Sequence, residues 1–275
     1  MVSGKSTPGF CNNSKNNLMT VIDKLGRILA KAVTWAFAGA LYGGFYAGLL
    51  AYFHTIEIGH WTAFILSSAI AGLVIAAFFG SMLVALGGTL TGILAAISYQ
   101  ILLAHTEQPL ILLASAFILG AVAGAFFTRR EIKQSQPIAQ AAAGLLAGLI
   151  SGPIMALVTA DMHPYTNHWG ITAGSVSLVG LGYVFFSKHT PGLLRNKLSL
   201  ELGGPLVSGI VAVAMASVFW LIGESSMAMP HLGQFSAYQT VLDNTPIGLL
   251  GGALGGAFGG AMLEILGIKL EEHIN

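Results

Sequence analysis

Long apolar stretches separated by short polar segments run through the whole chain. A bilayer core about 30 Å thick needs roughly 20 apolar residues per spanning helix, so the pattern predicts about eight transmembrane helices and an all-α polytopic membrane protein. The expected spans lie near 33–53, 61–80, 83–104, 109–127, 138–159, 169–187, 204–223 and 246–267. They form a single transmembrane domain over residues 33–268, with tails over 1–32 and 269–275.

One apolar stretch has to be divided to give this number of spans. Residues 61–104 contain no charged side chain and are too long for a single spanning helix. A tight turn near Gly80-Ser81, or near Gly87-Gly88, divides the stretch into two spans of bilayer length.

Basic residues then fall on one side of the membrane. With eight spans, all 12 Lys and Arg residues lie before span one, between spans four and five, between spans six and seven, or after span eight. Because Lys and Arg are enriched in cytoplasmic loops, we expect both termini in the cytoplasm. The bacterial inner membrane is the expected location, and an organellar membrane is the alternative.

The segment before span one has helical periodicity of its own. Residues 18–32 place Ile22, Leu25 and Leu29 on one helical face, with Lys24 and Arg27 among them. This pattern predicts a short amphipathic helix in the N-terminal tail, lying on the cytoplasmic surface. The alternative is a plain extension of the first spanning helix.

Glycine is frequent and regularly spaced in the spans, which pair into four glycine-rich helical hairpins. Odd spans carry their glycines early and even spans carry them late, which favours duplication of a hairpin. The densest series is Gly248, Gly252, Gly256 and Gly260 in span eight. Small residues let helices pack closely in lipid. The simpler expectation is packing within one bundle, and the alternative is a homo-oligomer or a partner membrane subunit docked on the glycine faces.

Charge is scarce, which narrows the functional classes. Only 8% of the residues are Asp, Glu, Lys or Arg, against about 25% in soluble domains, so the expected partner is the lipid bilayer and not nucleic acid. A lone cysteine, Cys11, excludes disulfides and Cys-based zinc sites within the chain. No span has an ionisable group at its centre, which argues against a proton pump or a carboxylate relay.

Polar side chains within the spans are limited to hydroxyls and a few amides, too few for a wide aqueous pore. Those near mid-span include Thr34, Ser67, Ser68, Thr89, Ser98, Gln100, Ser115, Ser175, Ser177 and Ser208.

Histidines collect on the side opposite the basic residues, and they raise the hypothesis of a metal site. Those on that side are His54, His60, His105, His163, His168 and His231. Imidazole and carboxylate are ligands for zinc, and thioether with imidazole suits Cu(I). A copper or zinc site would use His163, His168, His231 and Asp161, with Met227 and Met229 as copper-specific additions. The simpler interpretation is that they are polar residues at the membrane interface.

Prolines mark two further features. Residues 224–245, with Pro230 and Pro246 as boundaries, predict a short helix or re-entrant segment that lies over the bundle as a lid. In span five, Pro153 follows Gly152 and is expected to break or kink the helix. Broken helices in membranes often line binding sites.

Together these patterns favour a passive or partner-energised transporter or channel for a small solute. A non-catalytic subunit of a larger membrane complex is the first alternative, and a membrane protein with an outer-face transition-metal site is the second. An enzyme is not expected, because no nucleophile and base can be paired from the sequence.

Overall fold

The computed structural model describes residues 10–102, 109–128, 137–160, 169–194, 200–228 and 237–268, which form eight helices. They are α1 (Phe10–Thr55), α2 (His60–Gly80), α3 (Met82–Leu102), α4 (Pro109–Thr128), α5 (Pro137–Val158), α6 (Trp169–Leu194), α7 (Leu200–Ala228) and α8 (Ala237–Ile265). Each of the eight contains a stretch long and apolar enough to cross a membrane. The fold therefore indicates an integral membrane protein.

The charge-free stretch divides at Ser81. Helix α2 ends at Gly80, and Ser81 has an extended backbone with φ −164° and ψ 90°. The Ser81 N–H donates to the carbonyl oxygen of Ala77 at 2.9 Å, and α3 begins at Met82. The turn near Gly80-Ser81 is thus confirmed. The alternative at Gly87-Gly88 is wrong, because both residues lie inside α3.

Helix α1 is much longer than a membrane span. Its 46 residues rise over about 70 Å, more than twice the thickness of a bilayer core. Residues 18–32 belong to it, so the segment is continuous with the first span. Ile22, Leu25 and Leu29 are exposed along this part of α1.

Helix α8 begins at Ala237, well before the expected start of span eight. Residues 237–245 form its first turns, and Pro246 lies inside the helix. The expectation of a separate lid helix is therefore wrong for these residues. The chain can continue because a proline removes only one backbone hydrogen bond, and Val241 anchors the early turns against Gly48 of α1. Residues 229–236, which include Pro230, lie outside the described residues.

The most extensive packing joins helices that are distant in the sequence. These pairs are α1 with α8, α2 with α5, and α7 with both α3 and α4. The closest backbone approaches at glycine occur in such pairs: a Cβ built on Gly72 would meet the carbonyl oxygen of Gly144, and one on Gly92 that of Ala212. Helices α7 and α8, consecutive in the chain, touch only slightly. The bundle is therefore held mainly by contacts between the expected hairpins.

Both glycine faces of α8 are occupied by other helices of the same chain. A Cβ on Gly252 would meet the backbone of Gly39 in α1, and one on Gly255 would meet the backbone of Ala173 in α6. Only open space surrounds Gly259. The structure thus accounts for these faces by packing within one bundle, and a second subunit docked on them stays a prediction.

An ion-pair group joins α1 to α8 at the end of the bundle where α8 finishes. The carboxylate of Glu264 accepts from Lys31 Nζ at 2.8 Å and lies 3.4 Å from Arg27 Nε. Arg27 and Lys31 lie one helical turn apart on the same face of α1, so both reach the same carboxylate. The ion pairs thus link the two helices that share the most extensive packing.

Candidate functional site

Four hydroxyl side chains meet in the interior where α1, α2 and α6 approach one another. Tyr42 and Tyr46 lie one turn apart on α1, Ser68 lies on α2 and Ser175 on α6. None is more than 4% exposed. We call these four residues the hydroxyl cluster.

Close helix packing brings the cluster together. A Cβ on Gly43 would lie 2.9 Å from Thr172 Cγ2, and one on Gly39 would lie 3.0 Å from Val176 Cγ1. The absence of side chains at these positions lets α6 approach α1, which places Ser175 beside Tyr42. The i, i+4 spacing stacks the rings of Tyr42 and Tyr46, with centroids 5.6 Å apart and an interplanar angle of 14°.

Hydrogen bonding within the cluster is incomplete. The hydroxyls of Tyr42 and Ser175 share a hydrogen bond of 3.1 Å. Ser68 and Ser175 lie close enough to interact with both tyrosine oxygens. Among the described residues, however, neither Tyr46 Oη nor Ser68 Oγ has a partner at hydrogen-bond geometry. A buried hydroxyl left this way costs about 1–3 kcal/mol, so the cluster retains capacity to bind a polar molecule.

Two more buried hydroxyls lie on the helices next to the cluster. Ser67 precedes Ser68 on α2, and Ser151 lies on α5; they are 0% and 1% exposed. Neither hydroxyl has a hydrogen-bond partner in the ranges that the structure describes. Helix α5 lies against α2 because Gly148 and Gly152 have no side chains: Cβ atoms there would meet backbone atoms of α2. The closely packed helices α2 and α5 thus carry two further buried hydroxyls.

Polar groups also lie at both ends of the α2–α5 interface. At the end where α2 finishes, Gln140 lies against Gly80, and its Oε1 is buried without a hydrogen-bond partner from the described chain. At the end where α2 begins, His60 Nε2 lies 3.0 Å from the carbonyl oxygen of Ala156. A ring N–H must donate in that contact, which fixes the tautomer of His60.

The spacing of these groups matches the thickness of a membrane. Along α2, Gly80 and His60 are separated by about 30 Å, and Ser68 lies about 12 Å from the His60 end. The interface therefore has polar groups at its two ends and near its middle, with apolar packing between them. The thickness of a bilayer core is the same, about 30 Å.

The structure brings together two of the histidines noted in the sequence. The rings of His54 and His60 have centroids 6.1 Å apart. Thr159 completes this end of the bundle: its hydroxyl donates to the Met155 carbonyl at 2.7 Å and lies 3.4 Å from His60 Nε2.

The residues of the predicted copper or zinc site lie beyond what the structure describes. His163, His168, His231, Asp161 and Met229 fall outside the described ranges, and Met227 lies in α7 at a position where only the backbone is described. Among the described residues, no group of three or more His, Cys, Asp or Glu side chains could hold a metal ion. A metal site on the predicted residues stays a prediction.

Helix α5 passes through Pro153 without interruption. The proline has no N–H, so the carbonyl of Leu149 loses its usual partner one turn later. Gly152 serves the approach of α2, since a Cβ there would lie 2.6 Å from Ile65 Cα. A role for Gly152 and Pro153 in a solute pathway stays a prediction.

Ser68 and Ser175 belong to the hydroxyls expected within the spans, whereas the two tyrosines were missed. Tyrosine is commonly an interfacial or apolar residue in membrane helices, so its hydroxyl was not counted as mid-span polarity. The i, i+4 spacing of Tyr42 and Tyr46 was the available signal, because it places two hydroxyls on one helix face.

Comparison of the chain with protein-family models, with curated proteins and with solved structures finds no match. The geometry of the site is accordingly the basis for the function proposed below. Two features of the site bear on function, namely the buried hydroxyl cluster and the polar groups at both ends of the α2–α5 interface.

Proposed function

We propose that this protein is a passive transporter or channel for a small solute, with the hydroxyl cluster and the α2–α5 interface as its pathway. The observation that carries the proposal is the pair of fully buried hydroxyls, Tyr46 and Ser68, that lack a hydrogen-bond partner among the described residues. Native proteins satisfy almost all buried polar groups, and each exception calls for an explanation such as a bound water or ion. A bound polar solute supplies that explanation for Tyr46 and Ser68. Polar groups at both ends of the interface supply entry and exit positions.

The passive character follows from the residues around the pathway. The segments that line it contain no Asp, Glu, Lys or Arg; they are residues 32–53, 60–80, 137–158 and 169–187, and His60 lies at one end of the pathway. Coupling to protons or to an ion gradient uses ionisable groups within the membrane. A solute would thus move down its own gradient unless a partner protein supplies energy.

Flux through reconstituted protein tests this proposal. Purified protein in liposomes should speed the entry of at least one small solute over protein-free liposomes, measured by stopped-flow light scattering with a panel of neutral solutes and ions. The double variant Ser67→Ala/Ser151→Ala removes two more buried hydroxyls, on α2 and α5, with little change in shape, so it should slow that flux.

The matched control is Ser208→Ala. Ser208 is also fully buried and lacks a described partner, but it lies on α7 between α3 and α4. This variant should conduct like the wild type. No acceleration by the wild type for any solute, or an equal loss in both variants, would refute the pathway.

We further propose that both termini lie in the cytoplasm, with the bacterial inner membrane as the location. The one-sided distribution of all 12 Lys and Arg residues supports this orientation. Cys11 offers a direct test because it is the only cysteine. A membrane-impermeant maleimide should label it only after cells are permeabilised, whereas Cys11→Ser/Glu57→Cys should be labelled in intact cells, since Glu57 is exposed at the other end of α1. Labelling of Cys11 in intact cells would reverse the orientation.

A further inference from the structure

We propose that the hydroxyl cluster binds an uncharged solute that both donates and accepts hydrogen bonds, such as a small amide or polyol, and rejects ions of the same size. This inference rests on the proposed function and names the substrate class of the same site. It is argued from the donor and acceptor inventory, from the charges around the cluster, and from its burial.

The donor and acceptor inventory favours a solute with both kinds of group. A hydroxyl carries one donor and two acceptor positions. The bond between Tyr42 and Ser175 uses part of that capacity, while Tyr46 and Ser68 keep a donor and acceptors each. An amide or a polyol can satisfy both kinds of position at once. An ammonium ion offers only donors, and a carboxylate offers only acceptors.

The charges around the cluster disfavour ions. On α1 the nearest ionised side chain before Tyr42 is Lys31, about 16 Å away along the helix, and Lys31 is already paired with Glu264 at 2.8 Å. A buried ion is tolerated when an opposite charge or a metal compensates its lost hydration. The cluster offers dipoles only, so a charged solute would lose its hydration without an ionic partner.

The hydroxyl cluster is buried and ordered, and it does not lie in a solvent-filled groove. All four residues are buried, and the two tyrosines belong to the core cluster that also contains Leu49 and Phe64. The rings of Tyr42 and Tyr46 stack nearly parallel, and the hydroxyls of both tyrosines interact with Ser68 and Ser175. In small-molecule sites a few polar groups among apolar side chains fix the orientation of the ligand.

Acetamide and acetate provide a matched pair of probes, because they have nearly the same shape and differ in charge. Saturation-transfer difference NMR detects weak ligands, and it needs no transport. With detergent-purified wild-type protein, we expect saturation transfer to the acetamide methyl group and none to acetate. The variant Tyr46→Phe should weaken the acetamide signal about five- to tenfold, the effect of losing one hydrogen bond.

Two variants keep the result interpretable. Tyr99→Phe makes the same change at a buried tyrosine in a different part of the core, and it should bind acetamide like the wild type. Ser68→Ala should repeat the loss seen with Tyr46→Phe, which guards against a folding defect peculiar to one variant.

The binding result separates this inference from the proposed function. Equal transfer to acetate, or full acetamide binding by Tyr46→Phe, overturns the inference even if liposomes conduct solutes. Acetamide binding that depends on Tyr46, in a protein that accelerates no flux, supports the inference and removes the transport function.

Discussion

The packing of α8 on α1 predicts opposite effects for the same substitution at two glycines of α8. In Gly252→Ala, the new methyl group would meet the carbonyl of Gly39 and lie 2.9 Å from the Cα of Gly43. Carbon atoms prefer separations of about 3.5–4.0 Å, so α8 would have to move away from α1 by about 1 Å. The obstacles are backbone atoms of α1, which cannot rotate out of the way.

The magnitude follows from two opposing effects. Overpacking costs about 1–3 kcal/mol, and the upper part of that range applies because the backbone must shift. Alanine is favoured over glycine in a helix by about 1 kcal/mol. We therefore expect Gly252→Ala to lower the free energy of unfolding by about 2 kcal/mol. At Gly259 no atom lies within 4 Å of the added Cβ, so Gly259→Ala should raise stability by up to about 1 kcal/mol.

Equilibrium unfolding in mixed micelles, followed by tryptophan fluorescence, measures both variants. Trp35 is a suitable reporter because it lies at this interface, against Gly256 and Gly260. A shift of the same sign and size in both variants would show that the α1–α8 contact does not depend on the missing side chain at Gly252.

Two other predictions concern the ends of the bundle. Glu264→Gln removes the carboxylate that pairs with Lys31, so it should lower the melting temperature at low salt. The difference from wild type should shrink at high salt, where charges are screened. Asp243→Asn, at the other end of α8, is the control. His60→Leu deprives the Ala156 carbonyl of its donor and should cost about 1–2 kcal/mol in the same unfolding assay, whereas His60→Gln, which can still donate, should cost less. A salt-independent loss in the first case, or equal losses in the second, would contradict these assignments.

The positions of the long apolar helices could be predicted from the sequence because hydropathy marks a stretch long enough to cross a bilayer. Helix α2 covers His60–Gly80 against an expected 61–80, and α4 covers Pro109–Thr128 against 109–127. Hydropathy was less informative where a helix continues beyond its apolar part. The start of α8 at Ala237 differs from the expected start near residue 246, because Pro246 favours a helix boundary in the sequence. In the structure Pro246 lies inside the helix.

The pairing of helices could not be predicted, because glycine spacing marks a packing face without naming its partner. The series in span eight indicated a close contact, yet nothing local indicates that Gly252 meets Gly39. The hydroxyl cluster could not be predicted for the same reason. Ser68 and Ser175 were visible as polar positions within their spans, but their meeting with Tyr42 depends on contacts between segments far apart in the chain.

This dependence links the glycines to the site, and it yields a prediction at a position outside the cluster. A Cβ on Gly251 of α8 would meet the Trp169 carbonyl and lie 3.0 Å from Thr172 Cβ, both on α6. Relief to an ordinary contact would move α6 by about 0.5–1 Å. Ser175 lies on that helix, and its bond to Tyr42 is already 3.1 Å long.

Gly251→Ala should therefore weaken acetamide binding although the residue is not part of the cluster. Gly259→Ala, on the same helix and surrounded by open space, should leave binding unchanged. The measurement is the saturation-transfer signal of acetamide for the two variants beside the wild type, with each variant shown to be folded by its melting curve. If Gly251→Ala is folded and binds acetamide fully, the cluster does not need the close approach of α6, and the geometry of the site is set by α1 and α2 alone.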